Sequence, residues 1–212
     1  MKKITLYHGS KSGLTGEIKP SSREFCDYGK GFYMGTEKKQ PLTLICNYPD
    51  AKLYTLELDL TGLKTLSLYI GLEWALIIAF HRGKMENFKG TGIYEKYSRI
   101  FSGYDVIDGY IANDRMFVVL DRFFNGDITD KALISSLSAL KLGKQYVAVT
   151  ELACKSIKII EEAAVSEKER KTLITVSEKN RQKGIALADK ICRDHRRDGL
   201  FFDEILQEAG AL

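Results

Sequence analysis

No uninterrupted hydrophobic segment in this sequence is long enough to cross a membrane. The most apolar stretch, residues 68–80, is well short of the roughly 20 residues that a spanning helix needs. The apolar run at the N-terminus also stops within a few residues, and no secretory signal peptide is visible. These absences predict a soluble, cytoplasmic protein without a membrane partner.

Cysteine and proline are scarce. The four cysteines, at positions 26, 46, 154 and 192, lie far apart and form no CxxC pair, so neither a zinc knuckle nor a dense disulfide framework is indicated. We expect reduced, mostly buried thiols. With only 3 prolines and 44% hydrophobic residues, the chain can bury a substantial core and is unlike a disordered or collagen-like polymer.

Neither sign of charge dominates. The 32 Lys and Arg residues exceed the 28 Asp and Glu residues by 4, and both are dispersed along the chain. Electrostatics therefore gives no clear nucleic-acid signal.

Common nucleotide, metal and hydrolase motifs are missing as well. The sequence has no GxGxxG, GxxxxGKS/T, HExxH or GxSxG, and His8, His81 and His195 stand in unrelated contexts. Rossmann dinucleotide-binding domains, P-loop NTPases, zincins and α/β-hydrolases therefore have no support.

What the sequence does contain is a series of short strand patterns, with helical patterns inserted between them. Apolar alternation predicts strands at 4–8, 52–60, 104–112, 145–150 and 156–160. Helical spacing predicts helices at 68–80, 115–124 and 130–140, the last capped by Thr129. From residue 161 onward charged helix formers dominate. We therefore predict an α+β fold with a main domain over residues 1–160 and a helical extension over 161–212 packed on it.

Three short segments carry polar groups where strands begin or end. Residues 6–10, Leu-Tyr-His-Gly-Ser, place an imidazole, a bare backbone that a ligand can approach and a hydroxyl at the end of an apolar strand. Residues 29–33, Gly-Lys-Gly-Phe-Tyr, deliver an aromatic ring through flexible glycines, and Gln145 opens a late strand with an amide.

Taken in order, these segments resemble the three motifs of the ADP-ribosyltransferases of the diphtheria-toxin and poly(ADP-ribose) polymerase type, which read HGS, GKGIYF and NEYIV. The sequence is more similar still to an uncharacterised bacterial branch of that superfamily, with a YHGS start, a GKGFY segment and a Gln-led strand. The resemblance covers roughly residues 4–160. It implies an ADP-ribosyltransferase-like split β-sandwich with inserted helices, whereas the C-terminal helical extension has no counterpart.

The resemblance also implies an NAD site and a role for each motif. In the family the histidine binds the adenine-side ribose and the backbone after it binds the nicotinamide carboxamide, which assigns these parts to His8, Gly9 and Ser10. The family's tyrosine stacks on the nicotinamide ring, and Tyr33 takes that place, with Phe32 turned to the opposite face of the strand.

The third motif departs from the family at the residue that governs turnover. Catalytic members carry a glutamate whose charge stabilises the oxocarbenium-like cation formed as nicotinamide leaves, and here the residue is Gln145. The amide oxygen can still accept a ribose hydroxyl, but losing such a preorganised charge commonly costs on the order of hundreds-fold in rate. Chain elongation, which needs the carboxylate as a base, is not expected.

The positions after Tyr33 differ too. Where relatives place a serine and a second tyrosine around the nicotinamide, an ungapped comparison places Thr36, Gln40 and Leu44, which makes Thr36 and Gln40 candidate cofactor-binding residues. A carboxylate from elsewhere could replace the missing glutamate. The candidates are Asp105, Asp108 and Asp114.

The function that the resemblance implies is NAD-dependent transfer of one ADP-ribose to a macromolecular acceptor, as in a bacterial toxin or effector. NAD is then the substrate, and His8, Tyr33 and Gln145 are the catalytic residues. One alternative is a catalytically silent module of the same fold that binds NAD or an antitoxin protein. Another is transfer of an RNA 2'-phosphate to NAD, which is disfavoured because the basic residues of that phosphotransferase family have no match here.

Overall fold

A seven-stranded sheet forms the centre of the computed structural model, which describes residues 2–112, 114–139, 143–195 and 198–210. The strands are β1 (Lys3–Ser10), β2 (Phe32–Gly35), β3 (Lys52–Asp59), β4 (Thr65–Ser67), β5 (Val106–Tyr110), β6 (Lys144–Ala148) and β7 (Ile157–Ala164). Their order across the sheet is β4-β5-β6-β2-β1-β3-β7. All neighbouring strands are antiparallel except β4 and β5, which are parallel.

Helices fill the connections between strands and form the C-terminal part. They are α1 (Lys39–Ile45), α2 (Leu72–His81), α3 (Gly92–Ser98), α4 (Asp114–Phe124), α5 (Asp130–Ala139), α6 (Glu151–Lys155), α7 (Glu167–Asp194) and α8 (Phe202–Gly210), with a short 3-10 helix at Glu86–Phe88. The predicted α+β class is confirmed. Within the described ranges, no helix combines the length and the apolar character needed to cross a membrane.

Local sequence signals explain several of these elements. In β3 the side chains of Leu56 and Leu58 are fully buried and alternate with more exposed ones, as the period of a half-buried strand requires. The predicted cap of α5 is confirmed, because Thr129 Oγ1 accepts a hydrogen bond from the Ala132 amide at 3.4 Å. Ser166 caps α7 in the same way.

Strand pairing extends past two of the predicted boundaries. The apolar segment 68–80 begins as a helix only at Leu72, and the Leu68 amide instead donates to the Asp108 carbonyl of β5 at 2.7 Å, which continues the pairing of β4. The predicted boundary after residue 160 falls inside β7, because residues 161–164 continue to pair with β3.

Among the described residues, three clusters of buried side chains form the core. The β3 cluster lies on one face of the sheet and includes Leu6, Phe32, Leu56, Val106 and Ala148. The α2 cluster lies on the other face of β5 and β6 and includes Trp74, Ile77, Ile107, Val147 and Phe202. A smaller cluster beneath α1 includes Leu42, Ile45 and Leu53. Because Phe202 of α8 belongs to the α2 cluster, the C-terminal helices share the main core.

All four cysteines are free thiols. Cys46, Cys154 and Cys192 are buried, and Cys26 is partly exposed. Burial raises the pKa of Cys154 to about 11, so this thiol is protonated at neutral pH.

Candidate functional site

The three sequence motifs lie on three adjacent strands at the centre of the sheet. β2 has β6 on one side and β1 on the other. Gly35 of β2 pairs with Tyr7 of β1 and with Gln145 of β6, so that one row of residues crosses all three strands. Because neighbouring strands are about 4.8 Å apart, these remote parts of the sequence meet within roughly 10 Å.

The imidazole of His8 joins β1 to β2 where the backbone ladder stops. In the described structure these two strands share a single residue pair, Tyr7 with Gly35. Next to this pair, His8 Nδ1 lies 2.8 Å from the carbonyl oxygen of Tyr33, and its ring stacks on Phe32 with ring centroids 4.3 Å apart. The place where the strands separate is therefore occupied by a polar ring.

The contact of His8 fixes its tautomer. A backbone carbonyl can only accept a hydrogen bond, so Nδ1 carries the hydrogen and Nε2 of the neutral ring keeps its lone pair. Burial lowers the pKa of His8, and the hydrogen bond to Tyr33 opposes this shift only in part. At neutral pH, Nε2 is thus an acceptor suited to a ligand hydroxyl.

Gly9 and Ser10 do not leave the open backbone that their sequence suggested. A Cβ at Gly9 would lie 2.9 Å from Ile45 Cγ2 and 3.0 Å from the Pro41 carbonyl oxygen, so α1 occupies the space on that side. Ser10 Oγ donates to the Gly13 carbonyl at 2.8 Å and closes the turn after β1. The missing side chain of Gly9 serves the close approach of a helix.

Tyr33 and Phe32 point to opposite faces of β2, as predicted. Phe32 belongs to the β3 cluster and lies on the same face of the sheet as the His8 ring. Tyr33 packs against the α2 cluster on the other face. The Tyr33 hydroxyl donates to the Gly29 carbonyl at 2.8 Å and accepts from the Tyr28 amide at 2.9 Å. Tyr33 therefore holds the loop before β2, and its ring is on a different face of the sheet from His8.

Gln145 lies on the same face as Tyr33 but is only 5% exposed. Its Nε2 donates to Asp27 Oδ2 at 3.2 Å and to the Tyr110 carbonyl at 3.3 Å. Both partners are acceptors, so the NH2 group has to face them and the carbonyl oxygen Oε1 points away. The hydrogen bonds of Gln145 to these two groups use Nε2, and the Gln145 side chain also interacts with the Tyr28 hydroxyl.

Asp27 is the centre of this arrangement and was missed by sequence reasoning. The carboxylate is 8% exposed, and its Oδ1 accepts from Arg82 Nη2 at 2.5 Å and from Nε at 3.2 Å. Its Oδ2 accepts from the Ala112 amide at 3.0 Å as well as from Gln145. We call Asp27, Tyr28, Arg82 and Gln145 the Asp27 network.

Tyr28 completes the Asp27 network. Its hydroxyl accepts from Trp74 Nε1 at 2.7 Å and donates to the Tyr110 carbonyl at 2.7 Å. The absence of a side chain at Gly109 makes this possible, because a Cβ there would lie 2.3 Å from the Tyr28 hydroxyl. Gly109 pairs with Gln145 in the sheet, so Tyr28 covers the strand beside the amide.

The aspartates proposed from the sequence do not supply the carboxylate that contacts Gln145. Asp105 accepts from the Lys64 amide and from Thr150 Oγ1. Asp108 pairs with Tyr146 in the sheet, so its side chain is on the opposite face from Gln145. The side chain of Asp114 lies outside the described residues. The sequence feature that could have indicated Asp27 is its position directly before the Tyr-Gly-Lys-Gly segment, where the loop returns to the core.

Thr36 and Gln40 lie at the β2 end of the same row and bind protein groups. Thr36 Oγ1 donates to the Lys144 carbonyl at 3.1 Å, and Gln40 Oε1 accepts from the Glu37 amide at 2.9 Å. Gln40 Nε2 is buried without a hydrogen-bond partner among the described residues. Leu44 is 58% exposed.

Three surface hollows lie away from the predicted site residues. They measure about 320, 400 and 350 Å³ and are lined by residues 17–19 with 151–157, by residues 166–173, and by residues 122–128 with 189–193. Among the described residues, no cluster of His, Cys, Asp and Glu side chains could hold a metal ion.

Comparison with family models matches residues 4–159 to a family described as "Protein of unknown function (DUF3990)". No curated protein and no solved structure matches the chain. The matched segment contains all three motifs and Asp27, and it ends within β7.

Proposed function

The chain belongs to the DUF3990 family, whose function is unknown, and from its own residues we propose that it binds NAD where β1, β2 and β6 meet and transfers one ADP-ribose to a macromolecular acceptor. The observation that carries the proposal is the row Tyr7–Gly35–Gln145, which brings the three motifs onto adjacent strands. The contact of His8 with Tyr33 joins the first two motifs directly.

Two acceptor atoms on either side of β2 suit a ligand rich in hydroxyls. His8 Nε2 keeps a lone pair because Nδ1 donates to Tyr33, and Gln145 Oε1 points away from its two partners. Ribose hydroxyls donate hydrogen bonds to such acceptors. The proposal assigns His8 to the adenosine half of NAD and Gln145 to the ribose that carries nicotinamide. Because their side chains are on different faces, the proposal requires a ligand that reaches both faces of the sheet beside the Tyr7–Gly35 pair.

The proposed reaction breaks the bond between the nicotinamide nitrogen and the ribose carbon C1'. The bonding electron pair leaves with nicotinamide, the acceptor's nucleophilic atom forms the new bond to C1', and that atom's proton passes to solvent. Gln145 Oε1 stabilises the cationic ribose only as a dipole, because the amide carries no charge, so we expect a slow transferase.

Labelled NAD tests the proposal. With purified protein and cell lysate, we expect nicotinamide release and a labelled acceptor. His8→Asn keeps a donor for the Tyr33 carbonyl but lacks Nε2, so the fold should survive while the activity falls at least about tenfold. His195→Ala, at the end of α7, is the matched control and should be fully active. Absence of both products from the wild type contradicts the transferase proposal.

The second candidate is a silent module that binds NAD or an antitoxin protein without turnover. The observation in its favour is the burial of Gln145, whose amide already has two protein partners. Calorimetry distinguishes the candidates: NAD binding that His8→Asn weakens, without nicotinamide release, supports the silent module. Activity created by Gln145→Glu in an inactive background would identify a degenerate enzyme.

A further inference from the structure

Gln145 has an unusual environment for a residue that stands where related enzymes carry a carboxylate. Its NH2 group faces a carboxylate oxygen of Asp27 at 3.2 Å and a backbone carbonyl at 3.3 Å. We propose that Asp27 is the positioning residue of Gln145. Asp27 fixes the orientation of the amide, so that Oε1 is the atom available to a ligand. Asp27 also makes glutamine, rather than glutamate, the residue that fits at position 145.

The hydrogen-bond inventory of Asp27 supports this assignment. Oδ1 takes two bonds from Arg82, and Oδ2 takes one from the Ala112 amide and one from Gln145. A carboxylate has about four acceptor positions, so the group is saturated and needs donors on every side. Gln145 supplies the last donor, which a glutamate could supply only when protonated.

Electrostatics points the same way. A glutamate at position 145 would place a second carboxylate within about 3 Å of Asp27 in a buried site, where two like charges cannot both ionise without a large cost. Arg82 balances one negative charge, since it already pairs with Asp27 at 2.5 Å. Between positions 27 and 145, the described contacts therefore favour a single anion, and that anion is Asp27.

The other titratable groups around Asp27 do not change this balance. Among the described residues they include Cys26 and Tyr28 from the same loop, Tyr33 from β2 and His81 at the end of α2. Burial lowers the pKa of His81 to about 4, so His81 is uncharged between pH 5 and pH 8. Burial raises the pKa of both tyrosines far above neutral, so they remain uncharged near the carboxylate. Asp108 acts on Tyr28 from the opposite face of β5.

For ligand binding, which rests on the proposed function, Asp27 acts through Gln145. Because the NH2 group is held by Asp27 and Tyr110, rotation of the amide would place Oε1 against two acceptors. The amide is thus locked with Oε1 outward, as an acceptor for a ribose hydroxyl of NAD.

Gln145→Glu tests the pairing by thermal unfolding without any ligand. At pH 8 we expect its midpoint to lie at least about 5 °C below that of the wild type, since roughly 2–4 °C corresponds to 1 kcal/mol in a chain of this length. In the folded variant, Asp27 and the carboxyl group at position 145 share one proton, so the pKa of one of them lies above its value in the unfolded chain. The penalty is therefore largest at high pH, and the gap to the wild type should at least halve at pH 5.

Gln182→Glu is the matched control. Gln182 Nε2 also donates to a carboxylate, Glu178 Oε1 at 2.9 Å, but this pair is exposed on α7. The same chemical change should shift the midpoint by less than about 1 °C, because water screens the exposed charges.

Asp27→Asn combined with Gln145→Glu exchanges the charge between the two positions. The amide introduced at position 27 can donate to the carboxylate introduced at position 145, and Arg82 keeps a negative partner nearby. The double variant should therefore recover at least half of the loss caused by Gln145→Glu alone. If Asp27 and Gln145 were independent structural residues, the falls in midpoint caused by the two substitutions would add, and the difference in midpoint between Gln145→Glu and the wild type would not change with pH. Either result overturns the inference.

NAD binding is measured on the same variants as a separate arm. If the stability results hold and no variant or wild type binds NAD, the pairing of Asp27 with Gln145 stands and the proposed function fails. If the wild type binds NAD and Gln145→Glu is as stable as the control at every pH, the function stands and this inference fails.

Discussion

His8 and Gln145 lie on either side of β2, and the protein holds them by different means. His8 is held by a backbone carbonyl and by stacking on its neighbour across the sheet. Gln145 is held by the Asp27 network, in which an ion pair is buried. The position of His8 depends on strand pairing, to which many residues contribute. The second depends on a few charged side chains, so it should be far more sensitive to substitution and to pH.

Removal of Arg82 should show the largest difference between these two regions. Arg82→Met leaves the Asp27 carboxylate buried without its cation, which typically costs about 3–5 kcal/mol. We expect the thermal midpoint to fall by at least about 6 °C. Arg99→Met is the control, because the Arg99–Glu95 pair is exposed and should contribute little. Equal midpoints for the two variants would contradict the contrast.

Tyr28→Phe removes one hydroxyl from the Asp27 network. Trp74 Nε1 and the Tyr110 carbonyl then lose a buried partner, which costs about 1–3 kcal/mol and should lower the midpoint by roughly 2–12 °C. The exposed Tyr69 provides the matched control, since Tyr69→Phe should leave the midpoint unchanged. A loss no larger than that of the control would mean that the hydroxyl is dispensable.

The two histidines compare the acid sensitivity of the two regions. Burial lowers the pKa of His81, next to Arg82, to about 4, and within the described part of the chain no hydrogen bond opposes the shift as Tyr33 does for His8. A depressed histidine pKa means stability that is present above pH 6.5 and is lost as the pH falls toward 4. His81→Phe, which keeps the stacking on Phe101, should therefore reduce the fall in midpoint between pH 7 and pH 4.5 by at least about 5 °C.

The same scan with His8→Asn checks this interpretation. Its effect on the acid-induced fall should be smaller than that of His81→Phe, because a hydrogen bond to the protonated ring offsets part of the burial. The opposite order would show that the region around His8 is the more acid-sensitive one.

Ser10→Ala should have the smallest effect. The Ser10 hydroxyl contributes one partly buried bond to the Gly13 carbonyl, worth about 0.5–1.5 kcal/mol, and water can replace it. In thermal unfolding without denaturant, we expect a midpoint within about 3 °C of that of the wild type. A larger loss would show that the turn after β1 positions His8 as strongly as the strand pairing does.

Much of the scaffold could be predicted from local patterns, and the partners of the site could not. The alternation in β3 and the Thr129 cap involve residues a few positions apart, and both predictions were confirmed. The helix α1 was missed because it is short and contains Pro41 near its start. The extension of β7 past residue 160 was missed because charged residues there pair with β3 at an edge of the sheet.

The α+β class, the alternation of Phe32 and Tyr33 and the order of the three motifs could be predicted from the sequence, because each follows from the preferences of neighbouring residues. The contact of Gln145 with Asp27, rather than with Asp105 or Asp108, joins residues 118 positions apart and arises only in the folded chain. Such a contact depends on which strands lie side by side and on which face each side chain points to. That is a property of the assembled sheet, which no single segment encodes.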